Sequence, residues 1–306
     1  MSDVDVVIPT RDRPRFLGAL LEDLAVQVRP PRRVIVVDDS VRPYPWEAKF
    51  PNLPLRVIRP ARRQFISNAK NTGLTEGTSE LVAFVDDDNR IPPDLLKRLG
   101  DDLDQEPRWG AVMPGVVYRR RPDLVWVYAA PFRDGRWTFD LIGRNRPRDP
   151  AWERRPLPTD ALPNLSMVRR EVLSRVGAFD PALPVNSSAD LCQRIKRAGW
   201  EVWADPRVLT EHDVEPPDVP GFWAEHTLDD PDRLRSEVED WLRFHRRWNE
   251  PRRLFAVRAG YHAFGFLVPH FVALASRAPR RIVPHAAASI SGFHDGLEPN
   301  GLSRPR

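Results

Sequence analysis

Apolar residues in this 306-residue chain alternate between unbroken β-branched runs and runs at helical spacing. "VDVVIPT" (Val4 to Thr10) is continuous and ends on Pro9 and Thr10, the pattern of a strand buried on both faces. In "RFLGALLEDLAVQ", Phe16, Leu17, Leu20, Leu21 and Leu24 share one helix face. "RRVIVVDDS" (Arg32 to Ser40) predicts a second buried strand and "LPLRVIRP" a third. "QFISNAKNTGLTEG" predicts a helix closing on Gly77, and "ELVAFVDDD" a fourth strand. This alternation predicts an α/β fold, a mostly parallel sheet with helices on both faces and right-handed crossovers. In such sheets ligands bind beyond the carboxyl ends of the strands. Three of those ends are polar, at Thr10 to Arg13, Asp38 to Ser40 and Asp86 to Asp88, so they are expected to face one crevice.

"PPDLLKRLGDDLDQ" then predicts a helix begun by proline, and "WGAVMPGVVYR" another strand. Between residues 119 and 163 the periodicity fails. Trp126, Tyr128, Phe132, Trp137, Phe139 and Trp152 are scattered there among Arg and Pro, which predicts a long loop or small hairpin insertion of the functional kind. Regular elements return with "SMVRREVLSRVGAFDP", "ADLCQRIKRAG" and "WEVWADPRVLTEHD": a strand end and short helix, a helix capped at Gly199, and a last strand. The first domain is therefore expected over residues 1–215. Residues 216–306 predict a helical extension ending in a disordered tail, "GLEPNGLSRPR". Its apolar part, Tyr261 to Ala275, is shorter than the ~20 residues that cross a bilayer. Packing on the core is one expectation for it; peripheral membrane contact through residues 254–292 is the other.

Composition narrows the class. With 41% hydrophobic and 29% charged residues the chain is a folded, soluble type rather than a disordered one. One cysteine, Cys192, excludes an internal disulfide framework and a cysteine zinc cluster. A reducing, cytoplasmic setting is expected, because the amino-terminal residues carry no secretory pattern; a peripheral position at the inner face of the membrane is the variant of it. Arginine supplies nearly all the positive charge and suits planar phosphate recognition. It is mixed with acids throughout, so no nucleic-acid partner is expected.

Three consecutive carboxylates, Asp86, Asp87 and Asp88, at a strand tip repel one another unless water, protonation or a cation relieves them. As solvated turn residues they would be unremarked. Over the crevice, Asp86 and Asp88 can project to the same side of an extended backbone and share a hard divalent cation, Mn2+ or Mg2+, with a diphosphate.

Taken together, "VVIPTRDRPRFLGALLEDL", "VIVVDDS", "ISNAKNTGL", "LVAFVDDDNRIPPDLL" and "REVLSRVGAFDP" occur in the order and spacing of the family 2 glycosyltransferases. The resemblance extends to about His212. It implies a Rossmann-like GT-A domain that moves a sugar, with inversion, from a nucleotide diphosphate donor to a glycan or lipid-linked acceptor. It further implies that Pro9, Thr10 and Arg13 line the nucleotide and that Asp39 contacts base or ribose. Lys70 and Asn71 would lie beside the diphosphate, with Asp86 and Asp87 on the donor, and Asp88, Asp86 and His212 on the metal.

The resemblance breaks at the catalytic base. Where family members place a Glu-Asp pair, this chain has Ser187 and Ser188, and only Asp190 matches the later acid. Asp190 is the candidate base, Asp180 and Asp160 the alternatives from neighbouring loops. A donor-binding scaffold without efficient transfer is the competing function. A sugar-phosphate nucleotidyltransferase would need a glycine-rich loop where "PTRDRPRFLG" stands.

Overall fold

The computed structural model describes residues 1–132, 139–216, 230–248, 255, 260 and 267–297. They divide into two compact units, Met1–Asp180 with Ser188–Pro216, and Pro181–Ser187 with Pro217–Arg306.

The first unit is built on a ten-stranded sheet. β1 (Val4–Thr10), β2 (Arg33–Asp38), β3 (Leu55–Ile58) and β4 (Leu81–Val85) form a parallel half ordered β3-β2-β1-β4. Helices α1 (Pro14–Ala25), α2 (Trp46–Lys49) and α3 (Ile66–Glu76) connect these strands, and α4 (Leu95–Gln105) follows them. Leu17, Leu20, Leu21 and Leu24 of α1 are buried against Val4, Val6 and Ile8 of β1, as the periodicity requires. On the other face α3 approaches β1 through Gly73: an added Cβ would stand 2.3 Å from Val7 Cγ1. That close approach brings Lys70, one turn earlier, to the sheet's carboxyl end.

Beyond β4 the sheet is mixed rather than mostly parallel. β9 (Leu165–Arg169) enters antiparallel between β4 and β6 (Trp109–Tyr118), and β10 (Glu201–His212) runs parallel to β6 on the far side. The short β5 (Asn89–Arg90) and β8 (Leu157–Pro158) pair antiparallel with β10. The segment read as irregular holds a real strand, β7 (Arg121–Val127), antiparallel to β6. Its exposed first half, with Arg121 and Asp123, hides the strand from a periodicity reading. Trp137 lies outside the described residues. Helices α5 (Arg170–Val176) and α6 (Ser187–Arg197) complete the described part of this unit.

The second unit packs α7 (Pro231–Trp248) against α9 (Ile282–Leu297), with α8 (Val268–Arg277) between them in the chain. Its core is Leu234, Val238 and Leu242, flanked by Phe255, Leu267 and Phe293. Among the described residues no helix is long and apolar enough to cross a membrane. Most of the tail expected to be disordered lies outside the described residues.

Candidate active site

The polar strand ends converge. Thr10, last in β1, donates its hydroxyl to Asp87 Oδ2 at 2.7 Å. Arg13, at the amino end of α1, donates Nη1 to Asp87 Oδ1 at 3.2 Å and to Asp88 Oδ2 at 2.9 Å. Lys70 Nζ on α3 stands 2.8 Å from Asp86 Oδ1. His212, at the end of β10, places Nε2 3.5 Å from Asp88 Oδ1. The structure thus brings together Thr10, Arg13, Lys70, all three aspartates and His212.

The backbone there is a turn rather than the extended run anticipated, with Asn89 N donating to Asp86 O at 3.3 Å. Each aspartate therefore meets different partners. Asn164, in the left-handed region at φ 73°, accepts from Asp86 N at 3.0 Å and pins the turn to β9. Asp213 N donates to Asp88 O at 2.9 Å and pins it to β10. Asn164 was not picked out from the sequence; an asparagine in "LPNLS" carries no signal beyond turn propensity.

Electrostatics separate neighbouring carboxyls. Burial pushes Asp87 up to about 6, against the hydrogen bond from Thr10 and the charge of Arg13. Burial would also raise Asp88, but His212 and Arg13 outweigh it and hold that carboxyl below the usual range. Asp88 is therefore ionised at neutral pH while deprived of water.

Three buried atoms in this cluster, Asp86 Oδ1, Asp88 Oδ1 and His212 Nδ1, lack a hydrogen bond; Asp86 Oδ1 has the Lys70 ammonium at 2.8 Å, and Asp88 Oδ1 has only His212 Nε2 at 3.5 Å. Unsatisfied buried acceptors beside an ionised carboxylate fit a bound cation, and an oxygen and nitrogen donor set suits Mn2+ or Mg2+. Among the described residues no three His, Cys, Asp or Glu side chains form a complete metal centre. The arrangement fits an ion that completes its shell with ligand oxygens.

Next to the cluster, at the tips of β1 and β2, is a cavity of about 400 Å³ whose lining includes Thr10, Asp12, Asp38, Ser40, Tyr44 and Trp46. Asp12 is held at φ 52° by Ser40, whose Oγ lies 2.7 Å from Asp12 N. Asp39 lies beside this loop, its amide bonded to Thr10 O and its Oδ2 accepting from Gln64 N at 3.0 Å. Pro9 is partly exposed on the same strand.

Two predicted residues are placed elsewhere. Both ends of the Asn71 amide are used by the Phe179 backbone, at 2.8 and 3.0 Å, so Asn71 ties α3 to the segment after α5. Asp190 has no exposed surface, and its Oδ2 is bonded to Arg194 Nε at 2.9 Å. The candidate base is thus an i,i+4 ion-pair partner of Arg194 inside α6, and it would have to leave that pair to take a proton from an acceptor. Asp160 is likewise engaged, by Lys196, Gln193 and the Phe132 amide.

A family model described as glycosyl transferase family 2 matches residues 5–177. The pre-mycofactocin glycosyltransferase of Mycobacterium tuberculosis is 29% identical over 216 residues, 69% of this chain and 43% of that protein. This chain spans less than half the length of the curated relatives it matches. Among solved structures, GalNAc-T7 with UDP, GalNAc and Mn2+ superposes with a TM-score of 0.62 at 14% identity, covering 98% of this chain and 56% of that one. The mannosyltransferase of Pyrobaculum calidifontis with GDP-Man and Mn2+ superposes with a TM-score of 0.55 at 21% identity, covering 98% and 88%. At these identities the structural likeness establishes the fold.

Proposed function

The chain belongs to glycosyl transferase family 2, and from that premise we propose that it transfers a sugar from a nucleotide diphosphate donor to a hydroxyl of a glycan or lipid-linked acceptor, inverting the anomeric centre. The observation that carries this reading is the half-buried, ionised Asp88, whose Oδ1 has no hydrogen bond and stands 3.5 Å from His212 Nε2. Asp88 and His212, with Asp86 alongside, would hold Mn2+ or Mg2+. When bound, the ion supplies Lewis-acid charge that favours departure of the diphosphate. Arg13 fixes Asp87 and Asp88, Lys70 offers a cation to phosphate oxygens, and the cavity at the tips of β1 and β2 accepts the nucleoside beside Asp39.

Proton removal from the acceptor is the weak link. Ser187 and Ser188 are not basic at neutral pH, and Asp190 is occupied by Arg194. This favours a second reading, donor binding without efficient transfer. Thermal shift with a panel of nucleotide sugars, each with and without Mn2+, tests the first: a donor should raise the melting temperature more when the ion is present. No shift from any donor would overturn it, and a shift without turnover would favour the second reading.

For the membrane contact through residues 254–292 we infer an anionic lipid surface. That stretch contains no Asp or Glu and carries Arg258, Arg277, Arg280 and Arg281. Val272, Val283 and Ile290 are 65%, 77% and 71% exposed. The chain should sediment with phosphatidylglycerol vesicles and not with phosphatidylcholine ones, and Ile290→Asp should weaken this; absence of sedimentation sinks the inference.

A further inference from the structure

Arg144, in the segment after β7, is a mostly buried cation that meets no carboxylate among the described residues. Its Nη1 donates to the Trp126 carbonyl at 3.3 Å, and its Nε is buried without a partner. Burial lowers its pKa, and the one nearby group opposing this is the Tyr118 phenol. Withdrawing a charge from water is unfavourable unless an opposite charge offsets it. The guanidinium carbon stands 4.6 Å from the Trp126 ring centroid, and such stacking offsets only part of that penalty. A side chain placed only to cover Trp126 would do so without a charge, so packing leaves the cation unexplained.

The backbone is built to hold it there. Arg144 sits between two residues in the left-handed region, Gly143 at φ 80° and Asn145 at φ 55°. A Cβ on Gly143 would stand 2.8 Å from the Tyr128 ring. Asn145 donates its amide to Val125 O at 2.9 Å and accepts from the Tyr118 hydroxyl. Non-glycine residues held in the left-handed region are strained and concentrate where a ligand is gripped. An arginine pointing into solvent requires none of this.

Its position gives the ligand. The Trp126 ring packs edge-on with His212, centroids 4.9 Å apart, and His212 is 3.5 Å from Asp88. We propose that Arg144, stacked on Trp126, binds a substrate oxyanion, phosphate or carboxylate, on the His212 side of the active site. The inference rests on the transferase reading. The oxyanion has two sources, the diphosphate of the donor or an acidic group of the acceptor.

Calorimetric titration of the whole chain in Mn2+ separates them, with UDP and GDP as probes and then sulfate added to nucleotide-saturated protein. If the donor is the source, R144Q should weaken UDP or GDP by about tenfold or more. If the acceptor is the source, R144Q should bind nucleotide as wild type does and lose sulfate binding. Both titrations unchanged, with the circular dichroism of a folded chain, would overturn the proposal. Should R144Q fail to fold, R144K keeps the charge but not the planar fork, so it should bind the same probe more weakly; binding equal to wild type would overturn the proposal as well. A wild-type chain that binds no nucleotide sinks the transferase reading itself, whereas R144Q matching a nucleotide-binding wild type in both the nucleotide and the sulfate titrations sinks this inference alone.

Discussion

Asp88 in the first unit is half-buried and Asp240 in the second is buried, and their carboxyls move in opposite directions. Burial raises each, but Asp88 faces His212 and Arg13, which carry it below the ordinary range. Asp240 is pushed up to about 7, its partners being the Asn186 side chain and the amides of Val185 and Asn186, with Glu237 adding repulsion. Amide donors can hold a carboxyl in place; holding it ionised in a dry site takes opposite charge. A site that recruits a cation needs the second arrangement, and a peg that ties Val185 and Asn186 to α7 functions with the first.

The strongest break of this comparison is Asp88→Ala. On the proposed transfer reading, donor turnover should fall about 100- to 1,000-fold, the scale on which single charge-positioning groups act, and activation by added Mn2+ should weaken or vanish. Melting temperature without ligand should change little, because Arg13 keeps its bond to Asp87. Turnover within a few-fold of wild type would show that Asp88 is a peg like Asp240.

The contrast between the two aspartates was not visible in the sequence, although the strand ends that carry the cluster were. β1, β2 and β4 are legible because strands buried on both faces are apolar throughout, and their polar tips stand out against that background. The three aspartates follow from the tip of β4 in the same way. β7 was illegible because it is an edge strand with charged residues in its exposed half. The structural tie of Asn71 was illegible because its partner, Phe179, is 108 residues distant and sends no local signal. Asp190 differs: its partner Arg194 lies four residues later, so this helical ion pair is a local pattern that the sequence does carry. Arg144 carried no signal, since its meaning lies in meeting no carboxylate among the described residues, which only the folded structure discloses.

A smaller effect sharpens the comparison through pH. The Asp240 carboxyl releases its proton near pH 7 when folded and near the ordinary 3.8 when unfolded. Between those values the folded chain binds more protons than the unfolded one, so stability contributed by this group is full below about pH 4 and is lost as pH rises toward 7. The slope cannot exceed about 1.4 kcal/mol per pH unit, the limit for one proton. Asp240→Asn keeps an acceptor for the two amides and cannot ionise, so its curve lacks that contribution. Urea unfolding of both chains from pH 4 to pH 8 should therefore show the wild type losing its advantage over the variant as pH rises. Curves that stay parallel would mean that Asp240 is ionised in the folded chain across this range, with charge compensation of the kind Asp88 has.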